Sequence, residues 1–564
     1  MNNMKISGSQ ALLESLIAEK VKVLFGYPGG AIMPVYDALY DYGDKLNHIL
    51  VRHEQAAGHA AEGYGRLTGE PGVCLVTSGP GATNLVTPLA DAMMDNIPLI
   101  AISGQVHSSV IGTDAFQEAD VIGITAPITK WNYQISDARE IPEIMAKAFH
   151  IARTGRPGPV LIDITKDAQF GMMEFSYPEK VEIRSFKPTT HPHKKQIEIA
   201  AQILDKAERP LVLVGQGVQI AKGHKELQSF LEKGGFPAAF TLHGLSALPS
   251  RHPLHVGFLG MHGNYAPNKL SNEADVILAV GMRFDDRVTG RLSDYLNDAT
   301  IIHIDIDPAE LNKNVTADVP IVADAKIALT ELTKSIKKNN HEAWVSKFHS
   351  LFKEEHDEVI EPSVRPKSGA IKMAEVVQML SDLTKGEAVI VADVGQHQMI
   401  AARYYRFTKL NSMITSGGMG TMGFGLPAAM GAVYARPDQD IISISGDGGI
   451  QMNIQEFMTL VQEKMPVKVI ILNNGFLGMV RQWQQLFFEK RYSMTKIQSP
   501  DFVAVAKGYG LSASRVEKRE LLKSELQKML EHKSPYVLEI KVEAEENVFP
   551  MVPTGASVGE VRLR

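Results

Sequence analysis

The chain carries one cysteine, Cys74, in 564 residues. That excludes an internal disulfide and a cysteine cluster for a metal, and it suits a reducing compartment. No run approaches the ~20 apolar residues of a membrane span. There is no excess of basic charge: the formal net charge is −6, and no basic patch points to nucleic acid. The start, Met1-Asn2-Asn3-Met4-Lys5, leads directly into an amphipathic pattern with neither a secretory apolar region nor an Arg/Ser-rich transit segment, so a cytoplasmic protein is expected. What remains is ordinary soluble composition, 44% hydrophobic and 22% charged. The length sets an expectation of about three or four domains.

One stretch organises the rest. Ile441 to Ser445 reads as a short apolar strand, Gly446-Asp447-Gly448-Gly449 as a turn, and Ile450, Ile454, Phe457, Leu460 and Val461 as one face of a helix. Val467 to Leu472, rich in β-branched residues, then delivers the chain to Asn473-Asn474. A right-handed crossover makes the two strands parallel, which puts Asp447 and Asn474 beyond neighbouring carboxyl ends, where open α/β sheets bind ligands. A carboxylate and an amide oxygen suit a hard cation such as Mg²⁺, and a Gly-rich turn offers backbone N–H groups to phosphates. A lone Gly-Asp-Gly is usually only a turn. Its Asn partner 27 residues on, with strand, helix and strand between, resembles the signature of thiamine-diphosphate enzymes, and that resemblance makes a diphosphate and metal site the stronger reading.

Nearer the start, Ser7 to Lys20 has helical spacing, Val21 to Phe25 reads as a strand, and Gly26-Tyr27-Pro28-Gly29-Gly30 as a turn open to ligand or solvent. His48 to Val51 reads as a strand ending in Arg52-His53-Glu54, most simply a surface ion pair. Thr77-Ser78-Gly79-Pro80-Gly81, a helix and Ile97 to Gln105 are echoed by Thr415-Ser416-Gly417-Gly418, a helix and Asp440 to Asp447, with serines 25 and 29 residues apart. The halves read as duplicated, with Gln105 opposite Asp447, and convergence of two Gly-rich turns as the alternative. Between them, Leu211 to Val214, Asp275 to Val280 and Ile301 to Ile306 end in turn residues and make a middle parallel layer; Asp305 resembles the acid that nucleotide folds place near a ribose or base. Polar, proline-containing segments at Phe186–Gln196 and Phe352–Lys367 read as linkers. The expected fold is α/β with three parallel-sheet domains, over residues 1–185, 197–351 and 368–564.

Six further runs carry a family resemblance: Gly26-Tyr27-Pro28-Gly29-Gly30-Ala31, Arg52-His53-Glu54-Gln55, Gly112-Thr113-Asp114-Ala115-Phe116-Gln117-Glu118, Arg283-Phe284-Asp285-Asp286-Arg287, Gly395-Gln396-His397-Gln398 and Arg481-Gln482-Trp483. Along nearly the whole chain the sequence resembles the catalytic subunits of the acetohydroxyacid synthase (acetolactate synthase) family, which use thiamine diphosphate (ThDP). The resemblance implies a pyrimidine-binding, an FAD-binding and a diphosphate-binding domain, in that order. It implies that Glu54 hydrogen-bonds the aminopyrimidine and so promotes proton removal from the thiazolium, for which a buried Glu54 is expected. It also implies a two-fold dimer or a tetramer in which one chain's Glu54 serves another chain's metal site.

The resemblance assigns Mg²⁺ to the Asp447 and Asn474 side chains and the Phe476 carbonyl. Val394, Gly395, Gln396, His397, Gly446 and Gly448 flank ThDP, Gly420 faces the aminopyrimidine, Met422 bends the cofactor, and Met452 lies nearby. Gly30, Gln117 and Lys166 join Glu54 among the catalytic residues. Phe116, Met261, Arg287, Met479 and Trp483 receive pyruvate and 2-oxobutyrate, with Trp483 against the extra methyl of 2-oxobutyrate. FAD falls to Arg156, His262, Gly263, Gly281, Arg283, Asp305 and Asp324. His107 replaces a proline that borders the sulfonylurea site in many relatives, which implies weakened inhibition. A small regulatory subunit is an expected partner; nucleic acid and membrane are not. The alternatives are an FAD- and ThDP-dependent pyruvate oxidase, a catabolic FAD-free acetolactate synthase and, from another class, a non-catalytic nucleotide-binding assembly protein. Glu54, Asp447 and Asn474 together argue against the last.

Overall fold

The computed structural model describes residues 4–564; Met1-Asn2-Asn3, where the leaderless reading begins, lie outside the described residues. An antiparallel pair, β1 (Met4–Ser7) with β8 (Met172–Phe175), brackets the first sheet. That sheet contains β2 (Val23–Gly26), β3 (Asn47–Leu50), β4 (Gly72–Val76), β5 (Leu99–Gln105), β6 (Trp131–Ile135) and β7 (Pro159–Thr165). The middle sheet contains β9 (Pro210–Val214), β10 (Ala238–Phe240), β11 (His255–Phe258), β12 (Val276–Val280), β13 (Thr300–Asp305) and β14 (Val319–Val322). The last contains β15 (Val389–Ala392), β16 (Met413–Thr415), β17 (Ile441–Gly446), β18 (Lys468–Asn473), β19 (Ser512–Val516) and β20 (Tyr536–Lys541). Within each of the three sheets every pairing is parallel. Helices cover both faces, so central strands such as β5 and β18 are buried along their whole length, which is why they read as unbroken apolar runs.

The first and last sheets share one topology: β3-β2-β4-β5-β7-β6 and β16-β15-β17-β18-β20-β19. The order corrects the register of the internal comparison. Strand β4, with Thr77-Ser78-Gly79 after it, matches β17 and Asp447, whereas Thr415-Ser416-Gly417 follows β16, the counterpart of β3 and Glu54. Gln105 therefore corresponds to the end of β18 rather than to Asp447. The slip was one βα unit, because every parallel strand here leaves its sheet through similar small-residue turn chemistry.

The two related units meet through helices Glu54–Thr68 and Gly425–Ala435, both dense in Ala and Gly. A Cβ on Gly63 would lie 2.1 Å from the Ala428 carbonyl oxygen, and one on Gly431 1.8 Å from that of Ala60, so the backbones touch where any side chain would hold them apart. The supposed linker Phe352–Lys367 is largely helical, continuing from Glu342–Glu355 through His356–Ile360 to Glu361–Val364. Its charges pair at helical spacing, Lys353 with Asp357 and Glu361 with Arg365, while Val359 turns inward. After β20 the chain returns to the middle unit, where the Val552 N–H donates to the Met261 carbonyl at 2.8 Å and the Arg291 N–H to that of Ala556 at 2.9 Å.

Candidate active site

In the last sheet the chain order reverses between β15 and β17, and the crevice at their carboxyl ends is the topological switch point. Asp393 ends β15 and stays buried; its Oδ1 accepts from the Val394 N–H (2.8 Å) and the Gly423 N–H (2.9 Å), fixing two loops on one carboxylate. Burial pushes its pKa up to about 6. A Cβ on Gly449 would fall 2.3 Å from Asp393 Oδ2, and Gly395 adopts φ +145°, so backbone lines this crevice closely.

Asp447 follows β17 and is 1% exposed. Its Oδ2 accepts from the Gly475 N–H at 3.1 Å and from Ser499 Oγ at 2.8 Å. Burial raises this carboxyl above its usual range, with Lys541 only a minor countercharge. Such an anion, held out of water, would be offset by a divalent cation. On the neighbouring strand β18, buried Asn474 uses Oδ1 to accept from the Phe476 N–H (3.1 Å), which leaves that oxygen a second lone pair. The donor set fits Mg²⁺. His397 is buried and held neutral, its pKa lowered to about 3, and its Nε2 accepts from the Gly446 N–H at 3.3 Å. Gln396 joins the crevice to the surrounding structure: its Nε2 donates to Gln482 Oε1 (2.9 Å) and to the Glu546 carbonyl (2.7 Å), and its Oε1 faces Asn474 Nδ2 at 3.4 Å.

A cavity of about 1040 Å³ lies between the middle and last sheets, at the upper end of the ~300–1,000 Å³ typical of ligand sites. Its wall brings together Arg156, Met261, His262, Gly281, Arg283, Arg287, Asp305, Asp324, Val394, Gly395, Gly420, Met422, Met479 and Trp483. Gly281 sits at φ +58° against Gly217, where a Cβ would meet the Gly217 Cα at 2.6 Å, and this close crossing of two strand-end loops is what leaves the wall open. His262 is buried, its Nδ1 has no partner, and burial with Arg403 and Arg287 nearby lowers its pKa to about 3. An unpartnered ring nitrogen on a residue that lines a large, mostly apolar cavity fits a planar heteroaromatic ligand such as a flavin. Some wall residues are engaged already. Arg156 pairs with Asp307 (3.1 Å) and Glu310 (2.6 Å), Asp305 Oδ1 accepts from the Asp307 N–H at 2.8 Å, and Asp324 caps the helix Ala325–Ser335. Gly263 and Met452 stand off the wall: the Gly263 carbonyl accepts from Arg403 Nη1 at 2.8 Å, and Met452 packs beside Gly423.

The remaining candidates stand on the rim of the first sheet. Glu54 opens the helix Glu54–Thr68, and its Oε2 accepts from Asn84 Nδ2 at 2.9 Å. It is half-buried in the single chain, not buried as expected, because the crevice beside it is open to solvent there. Gly30 and Gln117 lie in the loops that follow β2 and β5, and Lys166 opens the short helix Lys166–Phe170 directly after β7. Gln117 takes φ +60° and lies against Gly79, where a Cβ would meet the Gln117 carbonyl oxygen at 2.7 Å. Phe116 is 88% exposed. Among the described residues no hydrogen bond joins Glu54 to Asp447, and neither is on the wall of the large cavity.

Two residues of the site are not marked by any motif in the sequence. Asp393 and Ser499 act by holding other groups and are brought in by strand order or by a distant loop, while Gln482 stands in the Arg481-Gln482-Trp483 run but with no role assigned to it there. A second cluster, His59, Glu62 and Asp91, has ligand atoms within 4.8 Å of one another. The Arg66 guanidinium already occupies it, at 3.7 Å from Glu62 and 3.9 Å from Asp91, so it is an ion-pair network.

Comparison with known proteins agrees with this layout. Residues 6–124, 197–332 and 393–540 match, respectively, the N-terminal TPP binding domain, the central domain and the C-terminal TPP binding domain of thiamine pyrophosphate enzymes. The chain is 44% identical over 572 residues to an acetolactate synthase large subunit of Corynebacterium glutamicum, spanning 99% of this chain and 90% of that protein. It is 44% identical over 566 residues to the acetolactate synthase isozyme 3 large subunit of Escherichia coli, spanning 99% and 98%. With a probable acetolactate synthase large subunit of Methanocaldococcus jannaschii it shares 45% identity over 565 residues, spanning 99% and 95%.

Proposed function

The chain belongs to the acetolactate synthase large subunits, a family of thiamine-diphosphate enzymes, and on that premise we propose how its own residues carry the reaction. As an acetohydroxyacid synthase of branched-chain amino-acid biosynthesis, it decarboxylates pyruvate and condenses the two-carbon unit with a second pyruvate or with 2-oxobutyrate. ThDP supplies the carbanion chemistry when bound. Asp447, Asn474 and the Phe476 carbonyl hold Mg²⁺ against its diphosphate, and Val394 to His397 with Gly446 and Gly448 line the same crevice. Gly420 and Met422 flank the aminopyrimidine. Glu54 of a second copy donates to that ring and holds its tautomer. FAD lies along Arg156, His262, Gly281, Arg283, Asp305 and Asp324, while Met261, Arg287, Met479 and Trp483 receive the acceptor keto acid beside Gln117, Lys166, Gly30 and Phe116 of the partner.

One observation carries the reading. A buried carboxylate and a buried amide stand at the ends of adjacent parallel strands at a switch point, beside a cavity of about 1040 Å³. The half-exposed Glu54 and the bare Phe116 support a homodimer or tetramer, because both become useful only under a covering surface. A small regulatory subunit is proposed from the large-subunit naming of the relatives. No helix among the described residues is long and apolar enough to cross a membrane; the cytoplasmic location is proposed from the sequence.

The test is acetolactate formation from pyruvate with ThDP, Mg²⁺ and FAD, with and without an artificial electron acceptor. Acetolactate without acceptor consumption, abolished in Glu54→Gln, is expected. Stoichiometric acceptor reduction would overturn the reading in favour of a pyruvate oxidase.

A further inference from the structure

Glu456 lies in the crossover between β17 and β18 and is wholly buried, yet among the described residues no side-chain cation stands within salt-bridge distance of it. Its carboxylate reaches across to the first sheet. The Arg52 N–H donates to both oxygens, at 2.9 Å and 3.2 Å, and Thr459 Oγ1 donates to Oε2 at 2.7 Å; burial pushes the carboxyl up to about 7, against these bonds and one from the His53 amide. The Arg52 side chain adds a second tie, from Nη2 to Gln462 Oε1 at 2.7 Å. Removing a carboxylate from water is costly, and an apolar side chain would fill the space more cheaply. What the carboxylate supplies is strong acceptors for the amides at the end of β3, immediately before Glu54.

The topologically equivalent strand end is held in the same way. After β16, Ser416 Oγ donates to Asp91 (2.8 Å), and the Gly417 and Gly418 N–H groups donate to Asp95 (2.9 Å and 2.7 Å). Asp91 and Asp95 lie in the crossover between β4 and β5, the counterpart of the one that carries Glu456. Each unit thus sends a buried acid into the other to fix a strand end, and those two ends lead to Glu54 and to Gly420. Asn84, by contrast, restrains only one oxygen of Glu54.

We propose that Glu456 is a positioning residue for Glu54, fixing the Arg52-His53 backbone so that the Glu54 carboxyl meets the aminopyrimidine in productive geometry. This rests on the role given to Glu54 above. Positioning errors near 1 Å at a reacting group change rates by about 100-fold.

The test uses the full-length protein and five variants: Glu456→Gln, Thr459→Val, Glu54→Gln, and Glu54→Gln combined with each of the first two. In the cofactor-free protein, mass-spectrometric hydrogen exchange of the peptide spanning residues 50–56 should quicken in Glu456→Gln. With ThDP and Mg²⁺, exchange of the thiazolium C2 proton, followed by quenched-flow NMR, should slow about 10- to 100-fold. ThDP affinity should stay within about three-fold, as uniform binding is untouched. Thr459→Val, which only loosens the Glu456 carboxylate, should slow exchange less, and it stands in if Glu456→Gln does not fold. In the Glu54→Gln background neither change should slow exchange further, since groups that act through one another are not additive. Unchanged C2 exchange in the single variants, or a slowing that persists in full on top of Glu54→Gln, would overturn the proposal. Wild-type exchange in Glu54→Gln alone would instead sink the role of Glu54 itself.

Discussion

Arg403 offers a demanding check on how the cavity wall proposed to hold FAD is braced. It lies near the end of the helix Gln396–Tyr404, whose first residue faces Asn474 in the crevice, and its side chain is 1% exposed. Nη1 donates to the carbonyls of His262 (3.1 Å) and Gly263 (2.8 Å), and Nη2 donates to the fully buried Glu355. Glu355 in turn accepts from Asn264 Nδ2 at 2.9 Å and the Tyr265 N–H at 2.7 Å. Arg403→Met keeps much of the volume but strands a buried carboxylate and two carbonyls, a loss of about 3–5 kcal/mol. For a unit of this size that lowers Tm by roughly 6–20 °C. Glu355→Gln preserves shape and acceptor and should cost less, about 1–3 kcal/mol. The double variant should then recover about 1–3 kcal/mol relative to the sum of the singles. Thermal unfolding reports the stability, and flavin fluorescence titration should show weaker FAD binding in Arg403→Met, because the 262–263 turn loses its anchor. A loss below about 1 kcal/mol, or additivity within about 0.5 kcal/mol, would refute the brace.

Three further outcomes are expected. Trp483→Ala should reduce the preference for 2-oxobutyrate over pyruvate by roughly 10- to 200-fold, the value of about one methylene in an apolar pocket, measured by product ratio with both substrates present. Asp163, buried among Ser103, Gln105 and Gln134, has its pKa pushed up to about 6 by desolvation, so the folded state retains a proton that the unfolded chain releases near 4. That contribution is complete at low pH and is lost as pH rises through 6; between pH 5 and 7 the stability of Asp163→Asn relative to wild type should therefore rise by about 1–2 kcal/mol, and a flat difference across parallel melts would contradict it. His107, whose ring stands 3.9 Å from Asp167 on an exposed turn, should weaken sulfonylurea inhibition and His107→Pro should restore it, with equal inhibition of the two proteins as the contrary result.

What the sequence disclosed follows from which signals are local. Strands buried on both faces announce themselves: Val467 to Leu472 was read within a residue of β18, and Asp447 and Asn474 emerge at the rim where that reading put them. The crevice was legible because its two oxygen donors sit on consecutive strands of one sheet. Apart from Asp305, the large cavity was legible through resemblance, since its wall draws on Arg156 before β7 and on segments after β9, β11, β12, β13, β14, β15, β16 and β18, which no spacing rule connects. Phe352–Lys367 was misread because prolines and charge suggest an exposed tether. The helix there is held by pairs at i,i+4 and by Glu355 locking onto Arg403, a partner 48 residues away. The clamps from Glu456, Asp91 and Asp95 left no trace, because an acid that binds a distant loop's amides looks like any other acid until the sheets are paired.

The matched strand order of the first and last sheets also explains why neither unit suffices for the chemistry. At the end of β17 stands Asp447; at the end of β4, its counterpart, stand Thr77 and Ser78, which cannot hold a divalent cation with an anionic ligand. Glu54 follows β3; its counterpart after β16 is Ser416-Gly417-Gly418, with no carboxyl. Each unit lacks the acid that the other possesses. Within the chain they lock through backbone contact at Gly63 and Gly431, a seam with no room for a ligand. A second copy that covers the half-buried Glu54 can bring the two acids to opposite ends of one cofactor, and the same pairing would bury Phe116. The exposure of these two residues in the single chain is thus the feature that most directly calls for a partner.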